Sequence, residues 1–453
     1  MAKSSSACPD NRTIDLDRRK ASAAFALLGA VQVTLIAAIT LITVALPAIA
    51  RDLRLDESGL VLVSSSYGIS FGGLLPLGGR LADRLGCRRA FVAGTVVFGL
   101  ASAGAGLAPW PGLLVAARLA EGAGAALAAP AAVALLAAVY PDPDRHDRAL
   151  ATWGVLSGAG AIAGTVVSGA VITWVSWRWL FAAPATVAAV ATVIAPRVVP
   201  AGPAPVKGKA DWPGAGLAAA GLAALIYGLQ RSGWALAAGV ALLALFVLTE
   251  RRSAAPLVPL PFLSRRALPL TAVLLCAAAM ATAFFLLSLY LQQVRGLSAL
   301  RVSVIFLLSG PTAVSAGPLA GKLIRRFGTR PVLVAGLLTA ATGLLLLSFL
   351  AAPYAGLLVF PFGTGLAFSA AAVTAMRSAG ATRAALAGAL VATAMETGPP
   401  LGLAVLTRAA TAYSPDPVTG YPFALRTAAT LLLVMAVVTL TSRPAQQPAE
   451  ENR

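Results

Sequence analysis

Residues 78–89 read GGRLADRLGCRR, a short basic segment between two long apolar runs. An arginine-rich connection between two segments of hydrocarbon length is typical of a loop that joins two membrane helices on the cytoplasmic side. A degenerate copy, AGKLIRRFGTR, occupies residues 320–330, and its Gly321 stands 242 positions after Gly79. One feature that occurs twice, half a chain apart, indicates two related halves.

The composition is that of a membrane protein. Hydrophobic residues make up 58% of the 453 positions and charged residues 11%, whereas a soluble domain carries about 25% charged residues. The net charge of +18 could indicate nucleic-acid binding, but the arginines lie in short connections between apolar runs, which the positive-inside rule explains better. We therefore expect no nucleic-acid partner. One histidine, His146, and three scattered cysteines predict neither a metal site nor a cofactor.

Apolar runs long enough to cross a bilayer, about 20 residues each, recur along the whole chain. The first run is too long for the core of a signal peptide, so we expect it to remain in the membrane. The fourteen predicted spans are residues 22–50, 59–79, 90–108, 112–139, 149–173, 179–198, 213–230, 234–249, 267–291, 302–321, 332–350, 355–376, 385–408 and 424–441.

The positions of Lys and Arg orient these spans. With the N-terminus in the cytoplasm, 26 of the 35 Lys and Arg fall in cytoplasmic segments, which predicts a multi-pass protein of the cell membrane with both termini inside. The two arginine-rich loops are then eight spans apart, which is one six-helix bundle plus two inserted spans. The predicted division is a tail (1–20), an N-terminal six-helix bundle (21–199), a cytoplasmic linker with two inserted helices (200–255), a C-terminal six-helix bundle (256–441) and a second tail (442–453).

The first arginine-rich loop resembles the signature loop between helices two and three of the major facilitator superfamily. The resemblance implies an all-α membrane fold of two six-helix bundles. With two extra helices between the bundles, the chain is similar to the fourteen-span drug:proton antiporters of the family. It also implies that Asp83 pairs with an arginine of the opposite half and holds the cytoplasmic gate shut in the outward-open state. The alternative is a set of solvated charges that only orient the loop. The residues concerned are Gly79, Asp83, Arg84, Gly86, Arg88 and Arg89.

Span 4 contains RLAEGAGAA at residues 118–126, which resembles the span-4 motif of the family with Glu121 in place of Gln. Arg118 and Glu121 lie one turn apart on one helix face, and a charge inside the membrane costs about 3 kcal/mol or more. Either Glu121 is a proton site tuned by Arg118, or the two form a static ion pair, because a close cation opposes proton uptake. Span 1 has Ala38 where the fourteen-span exporters usually place an Asp.

Span 5 resembles the antiporter motif of the family, which implies export. Gly160, Gly164 and Gly169 permit close helix approach, and Thr165 replaces the proline of the motif. The alternative is ordinary packing of small residues.

Glu396 lies near the middle of span 13, and no basic residue lies within one turn of it. A carboxylate away from water and positive charge is disfavoured, so we expect Glu396 to bind the coupling proton. Two alternatives remain: a neutral glutamate that is hydrogen-bonded across helices, and a contact for a cationic substrate.

Polar-tipped, aromatic or pliable side chains on spans expected to face the centre are candidates for lining a substrate cavity, with packing or lipid contact as the alternative for each. They are Gln32, Tyr67, Phe284, Phe285, Tyr290, Met376 and Met395.

Together these features predict proton-coupled efflux (antiport) of small lipophilic or cationic organic compounds, such as drugs or antibiotics, by a monomer embedded in membrane lipid. An importer or uniporter of the same superfamily is the alternative, favoured by Ala38 and by the altered span-5 motif. A membrane enzyme is disfavoured, because the two intramembrane carboxylates lie on distant spans and the single histidine lies in a loop.

Overall fold

The structure is a computed structural model that describes residues 11–202, 212–252, 260–264, 266–350, 353–377 and 384–442. These residues form helices and short connections and contain no strand, so the predicted all-α fold is confirmed. The first eight α-helices are α1 (Asn11–Leu53), α2 (Glu57–Leu85), α3 (Cys87–Gly106), α4 (Pro111–Val139), α5 (Pro143–Trp174), α6 (Ala182–Val198), α7 (Trp212–Arg231) and α8 (Gly233–Arg252). The others are α9 (Leu260–Ser264), α10 (Ala267–Leu289), α11 (Ala299–Leu307), α12 (Ser309–Phe327), α13 (Thr329–Leu347), α14 (Tyr354–Arg377), α15 (Ala384–Tyr413) and α16 (Pro417–Thr441).

Each predicted span falls on a helix. Thirteen helical segments within the described residues are long and apolar enough to cross a bilayer. The remaining predicted span is α7, a helix of 20 residues that packs along α8. Predicted span 10 is divided into α11 and α12, and α10 continues into a π-helical turn at Tyr290–Val294.

Side-chain caps fix where several helices begin. At the start of α2, Asp56 accepts a hydrogen bond of 2.8 Å from the Gly59 N–H. At the start of α5, Asp142 accepts one of 3.0 Å from the Arg145 N–H. Such caps satisfy amides that have no partner within the helix. They let consecutive helices follow one another across short connections.

The internal repeat is present in the backbone. Gly86 and Gly328, at matching positions of the two arginine-rich loops, have φ angles of 88° and 85°. Glycine adopts this left-handed region without the steric cost that a side chain would add. Each glycine lets the chain pass directly from one long helix into the next. The end of the molecule at these two glycines is called the arginine-rich end below.

Two arginines at matching positions also play the same part. Arg88 is the second residue of α3, and its Nη1 donates to the carbonyls of Pro196 and Val199 at 3.4 and 3.3 Å. Arg330 is the second residue of α13, and its Nε donates to the Thr439 carbonyl at 2.9 Å. In each half, therefore, an arginine satisfies carbonyls at the C-terminal end of the sixth helix, which the helix itself leaves unpaired.

We expect Arg330→Ala to destabilise the protein by about 1.5–3 kcal/mol, because hydrogen bonds from a charged donor contribute about that much. The midpoint of thermal unfolding in detergent measures the loss. Arg325→Ala is the matched control, since Arg325 is an exposed arginine of the same loop, and surface substitutions usually change stability by less than about 0.5 kcal/mol. Equal losses in the two variants would contradict a capping role for Arg330.

Helices α1–α6 pack on one another, as do α10–α16. The two sets meet where α2 lies against α15, α5 against α11 and α1 against α10. Helix α7 of the inserted pair packs on both α2 and α15. The predicted linker falls partly on residues 203–211 and 253–259, which lie outside the described residues.

The two sets of helices meet at the end opposite the arginine-rich end. Between α11 and α5, the Ser303 Oγ donates to the Thr165 carbonyl at 2.7 Å. One to two turns nearer the arginine-rich end, Gly310 still lies against Ile162. One further turn toward the arginine-rich end, the close packing between α5 and α12 ends. No described atom lies within 4 Å of a Cβ built on Gly158 of α5, and Val314 of α12 is 57% exposed. The seam therefore opens toward the arginine-rich end.

The α1–α10 contacts lie at the same closed end. The Ser288 Oγ donates to the Thr43 carbonyl at 3.0 Å, and the Gln292 Nε2 donates to the Val44 carbonyl at 3.1 Å. Two side chains of one half are thus bound to backbone carbonyls of the other. Opening this end requires these hydrogen bonds to break.

Candidate functional site

The Arg118–Glu121 pair of α4 is fully buried. The exposed fractions of the two side chains are 1% and 0%, and Arg118 Nη1 lies 2.7 Å from Glu121 Oε2. The Ser102 Oγ of α3 donates to Glu121 Oε1 at 2.6 Å, so both carboxylate oxygens accept hydrogen bonds. A buried charge is tolerated when it is paired and hydrogen-bonded in this way. This is the arrangement that a static ion pair would have, and the proton site at Glu121 stays a prediction.

Arg118 also reaches α1. Its Nη2 donates to the Ala38 carbonyl at 3.1 Å, whereas its buried Nε has no hydrogen-bond partner among the described residues. Arg118 and Ala38 line one small, mostly apolar cavity together with Leu41, Ile42, Leu180, Phe181 and Pro184. Position 38 is where the resemblance would place an acid. Arg118 thus has its carboxylate partner on its own helix, and α1 supplies only a backbone carbonyl.

Glu396 of α15 lies at the seam between the halves. Its exposed fraction is 8%, and it forms no hydrogen bond or ion pair with any residue in the described part of the chain. Its backbone packs against α2 at Gly72, where an added Cβ would lie 3.0 Å from the Glu396 carbonyl carbon. The closeness of the two helices leaves room for no side chain at that point. Glu396 is therefore a nearly buried acid without a neutralising partner.

Tyr67 lies on α2, which packs against the helices that carry the two acids. It is 1% exposed, and its hydroxyl donates to the Leu35 carbonyl of α1 at 3.1 Å. The Arg118 guanidinium carbon lies 4.8 Å from the centroid of the Tyr67 ring, a separation at which a cation is attracted to the ring face. Its neighbour Gly68 lies against α15, where an added Cβ would be 3.5 Å from the Glu396 carbonyl oxygen. Tyr67 is buried in this conformation, and its predicted place in a cavity lining stays a prediction.

The other aromatic candidates lie in packed regions. Phe285 and Tyr290 of α10 are 1% and 6% exposed within the large core cluster at the closed end. They are packed in this conformation, and their predicted lining role stays a prediction. Phe284 is partly buried and packs edge to face on Phe306, with ring centroids 4.8 Å apart.

The polar and pliable candidates differ from one another. The Gln32 Nε2 donates to the Ser157 Oγ at 3.1 Å and joins α1 to α5. Met376 and Met395 are exposed. Met395 directly precedes Glu396, so an exposed thioether and a nearly buried acid are neighbours on α15.

The small residues of α5 bring three helices together. A Cβ on Gly160 or Gly164 would come within 2.7 or 2.2 Å of atoms of α1, and one on Gly169 would come within 2.2 Å of Ser303 Oγ of α11. Thr165 provides the carbonyl that Ser303 binds. The motif residues therefore contact the N-terminal and the C-terminal helices at once. Their predicted link to export stays a prediction.

The predicted ion pair of the arginine-rich loop is not formed among the described residues in this conformation. Asp83, Arg84 and Arg89 are exposed, and Asp83 forms no ion pair with any residue that the structure describes. Gly79 lies on α2 with Pro130 of α4 4.0 Å from its Cβ position. The latch was predicted for a conformation closed at the arginine-rich end, and the present one is open there. The latch therefore stays a prediction.

Comparison with known proteins places this site in a family of transporters. The model of the Major Facilitator Superfamily matches residues 28–403. The puromycin resistance protein pur8 of Streptomyces alboniger is 34% identical over 438 residues, covering 88% of this chain and 86% of that protein. The cephamycin export protein CmcT of Amycolatopsis lactamdurans is 34% identical over 431 residues, covering 88% of each chain.

The fold is found in solved structures. A D-xylose-proton symporter superposes with a TM-score of 0.68 at 14% identity, covering 93% of this chain and 97% of that one. This likeness confirms the predicted arrangement of the helices.

Proposed function

The chain belongs to the major facilitator superfamily, and we propose that it exports an antibiotic or a similar small lipophilic or cationic organic compound in exchange for protons. It is a multi-pass membrane transporter and not an enzyme. The names of the relatives, one a puromycin resistance protein and one a cephamycin export protein, support an antibiotic as the cargo. One observation carries the exchange of protons: Glu396 is 8% exposed at the seam between the halves and has no partner among the described residues.

The excess of Lys and Arg at the arginine-rich end supports a cytoplasmic location for that end. The conformation described above then opens to the cytoplasm. Substrate would enter between the halves from the cytoplasm or the inner leaflet. Rocking of the halves would close the gap near Gly158 and Val314 and break the hydrogen bonds from Ser288 and Gln292.

The exchange follows from the cost of burying a lone charge. A carboxylate enclosed without a partner is strongly disfavoured. Closing the halves around Glu396 therefore requires either a bound proton or a cation that neutralises it. A cationic substrate would satisfy this requirement on the outward journey, and a proton taken from outside would satisfy it on the return. Each turnover would then carry one substrate cation out and one proton in.

A liposome assay tests this exchange. The purified protein is reconstituted, the lumen is made acidic, and accumulation of puromycin and of a cephamycin is measured. Inside-out molecules are expected to concentrate a transported compound in the acidic lumen, and the accumulation should disappear when an ionophore removes the pH gradient. Accumulation that ignores the gradient would indicate uniport. Gradient-driven movement in the opposite sense would indicate import.

A further inference from the structure

Tyr67 lies on α2, the helix that packs against both α4 and α15. Its ring lies 4.8 Å from the Arg118 guanidinium carbon, and beside it on α2 a Cβ added to Gly68 would lie 3.5 Å from the Glu396 carbonyl oxygen. Arg118 and Glu121 belong to α4 and Glu396 belongs to α15. The two acids are thus in different halves, and Tyr67 lies on α2, which packs against the helices of both.

The surroundings of Tyr67 hold it in one place. Its hydroxyl is tied to the Leu35 carbonyl of α1 at 3.1 Å, and its ring packs edge to face on Phe71 with centroids 5.6 Å apart. The charged groups that act on it electrostatically are Arg118 and Glu121 of α4 and Glu396 of α15, and its contact from α1 is the uncharged Leu35 carbonyl. At 1% exposure the tyrosine leaves little room for water to screen these charges.

We propose that Tyr67 is a positioning residue that couples the Arg118–Glu121 pair of one half to Glu396 of the other, so that a change of charge at either site alters proton binding at the other. This inference rests on the proton exchange proposed above. The tethered ring keeps the space between the two sites dry and their separation fixed, and charges interact more strongly across such a space than across water. Proton binding would then depend on the charged groups of both halves and not on Glu396 alone.

The test adds one charge at the α4 site and measures its effect at Glu396. Ala38→Asp places a carboxylate beside the Arg118 guanidinium, whose Nη2 already lies 3.1 Å from the Ala38 carbonyl. The added negative charge makes a second ionised carboxylate less favourable, so the pH of half-maximal drug accumulation is expected to rise by about half a unit or more. Ala38→Asn, which adds the same bulk without the charge, is expected to leave that pH unchanged.

The same comparison is then made with Tyr67→Phe, which keeps the ring but loses the tie to Leu35. We expect the shift caused by Ala38→Asp to fall to less than half of its value in the parent. Phe71→Leu is the control for general loosening of α2, because it alters the packing beside Tyr67 and leaves the hydroxyl in place; the full shift should persist there.

The outcomes separate this inference from the proposed function. If accumulation in the parent ignores the proton gradient, both are overturned. If accumulation in the parent depends on the gradient but Ala38→Asp causes no shift, the coupling through Tyr67 is overturned. It is also overturned if Ala38→Asp causes the same shift in the parent and in the Tyr67→Phe variant. In both cases the exchange of protons stands.

Discussion

Glu396→Gln is expected to reduce drug accumulation driven by an acidic lumen at least about tenfold, since an intramembrane acid of this kind is a functional group by default. Glutamine has the shape of the protonated acid but cannot release a proton. Its effect on folding should be small, because the Glu396 carboxylate has no hydrogen bond or ion pair among the described residues to lose. Exchange of labelled for unlabelled uncharged substrate across the bilayer, which needs no net proton movement, should remain.

Two further variants sharpen this experiment. Asp144→Asn removes an exposed acid from the first turn of α5 and should accumulate drug as the parent does. Glu396→Asp keeps a titratable group and should retain part of the gradient-driven activity. Parental accumulation by the Gln variant would exclude Glu396 as the coupling group, whatever its burial.

The repeated loop illustrates how much of the fold could be predicted from the sequence. Gly86 and Gly328 occupy matching positions in two otherwise divergent segments. Each adopts a left-handed φ, and because glycine adopts this conformation without steric cost, the local sequence is enough to indicate it. The number of membrane helices could also be predicted from local sequence, because each apolar run of sufficient length indicates one span. The boundaries were less accurate: α1 extends from Asn11 to Leu53, beyond the predicted 22–50, because a helix continues past the apolar segment that identifies it.

The site was only partly predictable, and the reason is tertiary. Arg118 and Glu121 are one turn apart, so their pairing follows from helix geometry. Tyr67 meets Arg118, and its helix meets Glu396, because α2 packs on α4 and on α15. No spacing along the chain contains that information. The cavity role of Phe285 and Tyr290 stays a prediction, because an aromatic side chain has the same sequence pattern in a packed interface as in a binding site.

Glu121→Gln is expected to destabilise the protein by about 3–5 kcal/mol, the usual cost of removing one partner from a buried ion pair. Arg118, at 1% exposure, would keep its charge without a counter-ion, and its Nε already has no partner among the described residues. The midpoint of thermal unfolding in detergent measures the loss. Ser102 would still be able to hydrogen-bond to the amide, so the missing charge is the main change.

A second substitution can restore the counter-ion from a different helix. In Ala38→Asp/Glu121→Gln, the new carboxylate would lie in the cavity that Ala38 and Arg118 share, and we expect it to recover at least half of the lost stability. Ala38→Asn/Glu121→Gln fills the same space with a neutral group and should recover little. If Asn restores stability as well as Asp does, filling the cavity matters more than neutralising Arg118. If only Asp restores stability, the acid that pairs with Arg118 can lie on either α1 or α4.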